Sequence, residues 1–309
     1  QESDGQVGRH LLQGGICMLG KLFKYEWKGL RFPMLIMLIV LAGTTVLTCS
    51  VIVTINPKFD ETLTWYSVMA LMLSIFLYYF GIIGCSLGVM LTIAIRFYKT
   101  CYTDQGYLTH TLPVSTQKIL NVKLISSVAA ILFLILAVAV SLLVIANVGV
   151  NHILSIAIAE SNGYLTDTAD LRRLFFQELS SALSEFETEL GISLGTYIVY
   201  LVVYFIIAII ANTVTILGCV SLGQLYTKHR IIGAIAAYFV VQFILKILGY
   251  IASIPMYSKL MRADMYYEEY TAFGLMSPTM DLALFFSVVV AVIMYFINLH
   301  MLTKKLNLE

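Results

Sequence analysis

Few residues in this 309-residue chain combine in a pattern that could do chemistry. Gly15 to Lys21 spells G-x-x-x-x-G-K, the frame of a phosphate-cradling loop. Leu22 stands where a Ser or Thr hydroxyl would hold magnesium, however, and no strand precedes the stretch. Ser115-Thr-Gln-Lys118 has the S-x-x-K spacing of a lysine-activated serine, but the same residues make an ordinary helix start with Ser115 as its cap. His10, His110, His152, His229 and His300 are scattered, and no Cys/His cluster has zinc spacing. Cys49, Cys85 and Cys219 lie in apolar runs and Cys101 in a polar one, a distribution that indicates no disulfide pair. No N-x-S/T acceptor occurs, and no pair of acids lies within an apolar run to relay protons or activate water. The chain is therefore expected to be non-catalytic, with neither metal nor cofactor of its own. Two charges stand out by context: Glu26 in an apolar stripe and Lys246 in an apolar run.

The elements that position these charges are built for hydrocarbon. Hydrophobic residues make up 60% of the chain and charged residues only 12%, half the charged content of an ordinary soluble domain. The net charge of +1 offers no global field for nucleic acid or acidic substrates. A bilayer core of about 30 Å needs roughly 20 apolar residues in helix, because backbone groups left open in lipid find no partner. Six runs reach that length: 32–55, 65–95, 124–150, 194–222, 231–254 and 282–301. The second is longer than needed, so it tilts or extends beyond the bilayer. Gly84 to Gly88 and Gly218 to Gly223 place small residues where helices can approach closely.

Orientation follows from the distribution of Lys and Arg. Lys21, Lys24, Lys28, Arg31, Arg96, Lys99, Lys118, Lys123, Lys228, Arg230, Lys304 and Lys305 fall on one side; Lys58, Arg172, Arg173, Lys259 and Arg262 fall on the other. The excess marks the first side as cytoplasmic and places both termini there.

Four segments between the runs carry their own patterns. Residues 1–17 read as a cloning-derived or upstream extension. In 18–31, Leu19, Leu22, Phe23, Trp27 and Leu30 recur at helical spacing opposite Lys21, Lys24, Lys28 and Arg31, the signature of an amphipathic interfacial helix. Glu26 falls within its apolar stripe, where an unpaired carboxylate is costly, so an internal partner is expected. The inner link 96–123 is too long for a turn: Asp104-Gln105-Gly106 signals a bend, Pro113 a stop, and Ser115 a helix start continuing through Lys118. Outside, 151–193 sets acids beside Leu171, Leu174, Phe175, Leu179, Phe186 and Leu190 at helical spacing, predicting an extracellular helical insertion. The tyrosine-rich link from Pro255 to Asp281 is expected at the interface or partly in the membrane. Lys246 can snorkel, pair internally or line a pathway.

The resulting fold class is an all-α integral membrane protein with six transmembrane helices, spanning 32–305. MLGKLFKYEWKGLRF before the first run, and RFYKTCYTDQGYLTHTLPVSTQKILNVKL between the second and third, resemble the permease subunits of bacterial ABC-2 type exporters. The resemblance covers Met18 to Lys305 and is most specific from Gly106 to Ser115. It implies a surface-lying leader helix and a coupling helix in 96–123. The coupling helix would dock a separate ABC ATPase through Asp104, Gln105, Gly106, Tyr107, Leu108, Leu112, Pro113, Val114, Ser115 and Lys118. It also implies short re-entrant helices in the last outer link, a second identical or related permease, ATP and magnesium held by the partner ATPase, and a bacterial plasma-membrane location. Similarity to lantibiotic and phenol-soluble modulin exporters implies a small amphipathic peptide as cargo. Two other classes stay open: a secondary transporter or channel, and a non-transport peptide-binding or immunity protein. A neighbouring reading frame for a P-loop ATPase would separate them.

Overall fold

The structure is a computed structural model that describes residues 2–54, 61–103, 106, 115–160, 168–226, 229–266 and 271–304. Among these residues helices follow one another without a strand: α1 (Glu2–Thr54), α2 (Glu61–Tyr102), α3 (Thr116–Glu160), α4 (Thr168–Leu190), α5 (Leu194–Gly223), α6 (Arg230–Tyr266) and α7 (Ala272–Lys304). All except α4 contain a window apolar enough to cross a membrane, with mean hydropathy between 2.1 and 3.2. This is the pattern of a multi-pass membrane protein. The helices outrun the apolar stretches that define them. The 45 residues of α3 reach about 68 Å at 1.5 Å each, over twice a bilayer core. Their ends can therefore carry polar chemistry beyond the lipid.

Pro33 and Pro255 each lie inside a continuous helix. Residues 18–31 and the first apolar run share one helix, α1, which continues through Pro33. The segment Gly15 to Lys21 lies inside that helix, so no loop is present there to cradle a phosphate. In the link 255–281, α6 runs through Pro255 to Tyr266 and α7 begins at Ala272. Its described residues extend the flanking helices and form no separate short ones. The physical reason is the same in both places: one proline removes a single rung of the ladder and leaves the neighbouring bonds to carry the helix.

The chain divides into two compact units. One comprises Arg31–Met90 and Ala130–Phe186. Its helices are joined by apolar packing and a few polar contacts. Thr48 Oγ1 donates to the Ser74 carbonyl at 3.3 Å, and the hydroxyls of Tyr78 and Ser141 share a bond of 2.6 Å. Gly88 leaves room for Met37, whose Cε would lie 2.8 Å from any Cβ added there, whereas Gly84 faces open space.

The other unit comprises Gln1–Leu30, Leu91–Ala129 and Glu187–Glu309. Ala211, Val214 and Cys219 of α5 pack with Val241 of α6 and with Ala291 and Met294 of α7. Gly218 gives Met294 its place. Gly223 lets α5 and α6 meet backbone to backbone: an added Cβ would sit 2.6 Å from the Cα of Ala234, and one on Gly233 3.0 Å from the Gly223 carbonyl oxygen. At the start of α5, Ser193 caps the helix, and the Glu187 carboxylate accepts from the Leu194 N–H at 2.6 Å. The preceding reversal uses Gly191 at φ +74°, a left-handed conformation that a side chain resists.

Candidate functional site

Three helices of the second unit described converge on one carboxylate. On α1, Glu26 and Leu30 are four residues apart, share a face, and are both buried. Lys21, Lys24, Lys28 and Arg31 are exposed. Arg96 and Thr100 share a face of α2 beyond its apolar run, and Lys123 lies near the start of α3. Arg96 Nε donates to Glu26 Oε2 at 2.9 Å, and Lys123 Nζ donates to Glu26 Oε1 at 2.5 Å. The carboxylate thus joins both ends of the link 96–123 to the segment 18–31.

The bonding extends further. Lys123 Nζ also donates to Thr100 Oγ1 at 2.6 Å, and Arg96 Nη2 to the Tyr25 carbonyl at 3.1 Å. Gly29 makes the second contact possible, since a Cβ there would occupy the space of the Arg96 guanidinium. The Lys123 side chain is only 5% exposed and that of Glu26 11%, so these charges have little water to fall back on. The void among them measures about 10 Å³, at most enough for a single water. Two cations against one anion leave the cluster with a net positive charge. Charge-assisted bonds in such surroundings are strong, and losing one partner is costly.

A second polar chain begins at Tyr102, two residues beyond Thr100 on α2. Tyr102 Oη donates to Ser221 Oγ at 2.7 Å, and Ser221 Oγ to Asn298 Oδ1 at 2.6 Å, tying α2 to α5 and α7. Ser221 is fully buried and Asn298 1% exposed. Near the start of α3, Asn121 accepts from the Tyr295 hydroxyl at 2.9 Å. None of these contacts was anticipated. A lone Asn298 in the sixth apolar run was the available signal, because a buried amide there requires a partner.

Of the residues expected to dock a partner, three are described. Gly106 is buried, and its N–H donates to the Thr103 carbonyl at 2.6 Å. Ser115 and Lys118 are exposed, and the Ser115 carbonyl accepts from the N–H groups of Lys118 and Ile119 at the start of α3. Asp104, Gln105, Tyr107, Leu108, Leu112, Pro113 and Val114 lie outside the described residues. Lys246 is not brought to the cluster; it lines a groove among α5, α6 and α7. Among the described residues, no group of three or more His, Cys, Asp or Glu side chains is placed to hold a metal ion.

Set against known protein families, curated proteins and solved structures, the chain matches none.

Proposed function

We propose that this chain is the membrane-spanning permease subunit of a bacterial ABC-2 type exporter, driven by ATP hydrolysis on a separate ATPase subunit. The observation that carries the reading is the bridging of Arg96 and Lys123 by Glu26. Those residues bracket the inner link, so a partner that pulls on the link acts on α1, α2 and α3 together. The Tyr102–Ser221–Asn298 chain extends the same connection to α5 and α7. A transporter without its own energy source needs such a mechanical input, and the sequence offers no nucleotide site to replace it.

In this reading residues 18–31 lie at the cytoplasmic interface and the link 96–123 carries the coupling helix. Two permease copies, identical or related, form the conduit, with both termini of each in the cytoplasm of the bacterial cell. ATP and magnesium are held by the partner. The ATPase binds one link conformation better than the other, and that difference in affinity shifts the helices. A small amphipathic peptide is the cargo favoured by the resemblance to peptide exporters.

The reading requires a P-loop ATPase encoded in a neighbouring reading frame, and the test is copurification with it before and after deletion of residues 104–118. Loss of the complex and of permease-stimulated ATP turnover is expected. A complex that survives the deletion with unchanged turnover removes the docking role of the link.

A further inference from the structure

Away from the cluster, α5, α6 and α7 flank an open groove of about 550 Å³, at which Lys246 is exposed. Its polar wall includes Asn212 and Thr215 from α5, Gln242, Lys246 and Tyr250 from α6, and Ser287 from α7. Gln242, Lys246 and Tyr250 recur at four-residue intervals and so share one face of α6. Lys246 lies about 24 Å along α6 from Arg230 at 1.5 Å per residue, within the apolar window of that helix. It is the only charged residue in the six apolar runs.

An ammonium at that depth needs a counter-charge or water. Among the described residues, no Asp or Glu lines the groove. Among the described residues Lys246 forms no ion pair, and neither Lys246 nor Asn212 makes a hydrogen bond. A cation and an amide with spare donors therefore face the same cavity. Leu245, Ala208, Ala211 and Ala283 supply the apolar part of the wall, and Phe243 and Ile247 are exposed on α6 beside it. This is an amphiphile's environment: a small polar recess for a head and a greasy flank for a tail.

We infer that the groove binds an acid-headed hydrocarbon amphiphile taken laterally from the membrane, its carboxylate or phosphate paired with Lys246 Nζ and hydrogen-bonded by the Asn212 amide. The site does not depend on an ATPase partner, and its test is independent of the export reading.

The full chain in nanodiscs of neutral phosphatidylcholine is titrated with cis-parinaric acid, a fluorescent fatty acid, and in parallel with its uncharged methyl ester. The acid is expected to bind saturably and at least about tenfold more tightly than the ester, the effect of one charge-assisted bond. Lys246→Met should weaken acid binding by about tenfold and leave ester binding unchanged, while Lys246→Arg should retain the acid. Phosphatidylglycerol then distinguishes the sources. Displacement of the probe by it assigns the site to a phospholipid head, and failure to displace assigns it to a free acyl carboxylate. Equal binding of acid and ester by the unaltered chain overturns the inference whether or not any variant folds. Undiminished acid binding by Lys246→Met does the same.

Discussion

The cluster at Glu26 and the groove at Lys246 set opposite solutions to the same problem side by side. Both place charge among apolar helices. In the cluster every ionic group has a partner: the carboxylate takes both cations, and Thr100 and the Tyr25 carbonyl take further donors. Among the described residues lining the groove, Lys246 meets no acid. A satisfied buried network fixes one arrangement of its helices, and removing a member is expensive. An unsatisfied charge contributes little to the fold and is retained for something that arrives from outside. The contrast separates a part of the molecule that holds helices from a part that receives a ligand.

The largest effect is expected at the cluster. Glu26→Leu leaves Arg96 and Lys123 facing each other uncompensated and should cost about 3–5 kcal/mol, read as a lowered unfolding midpoint in detergent. Adding Lys123→Met should recover part of that loss, since removing both members of a buried pair is far cheaper than removing one. Additive losses in the double variant would show that the pair is not coupled.

Ser221→Ala tests whether the satisfied region reaches α5 and α7. It strands the Tyr102 hydroxyl and the Asn298 amide and should cost about 1–3 kcal/mol. A neutral result in chemical denaturation would confine the network to the ion pairs. Gly29→Ala should cost about 1 kcal/mol, because the displaced guanidinium sits at the end of a flexible side chain and only its bonds are lost. In an Arg96→Ala background that penalty should disappear, a non-additivity that a four-variant cycle measures.

Lys246→Met marks the other end of the comparison: its melting temperature should match the unaltered chain, within about 0.5 kcal/mol, or exceed it. A loss as large as that of Glu26→Leu would mean that Lys246 has a structural partner and that the contrast is wrong.

The six apolar helices were legible because lipid imposes length and continuity on any chain that crosses it, and no soluble pattern competes with runs such as 124–150. The need of Glu26 for a partner was legible from its place in the stripe. Which partners it takes was not. Arg96 and Lys123 read as ordinary members of a positive-inside tally, and only the continuation of α2 and α3 past their apolar stretches brings them to Glu26. The Tyr102–Ser221–Asn298 chain joins residues 119 and 77 positions apart, and no local period encodes contacts of that range. Helix ends were the least legible: the fifth apolar run stops at 254, whereas α6 continues through Pro255 to Tyr266. Lys246 stood out at once, but the cavity beside it depends on how three helices pack.

The backbone contact of Gly223 with Ala234 also sets how that cavity can change shape. With no side chain between them, α5 and α6 are pinned near one end, and a slip by one residue would drive a Cβ into main chain. The remaining freedom is to pivot. Lys246 lies twelve residues beyond Ala234, so a splay of about 10° at the pin would part the two helices by about 3 Å at its level. Scissor-like opening of that size would widen the recess for a bulkier guest while the pinned end stayed closed.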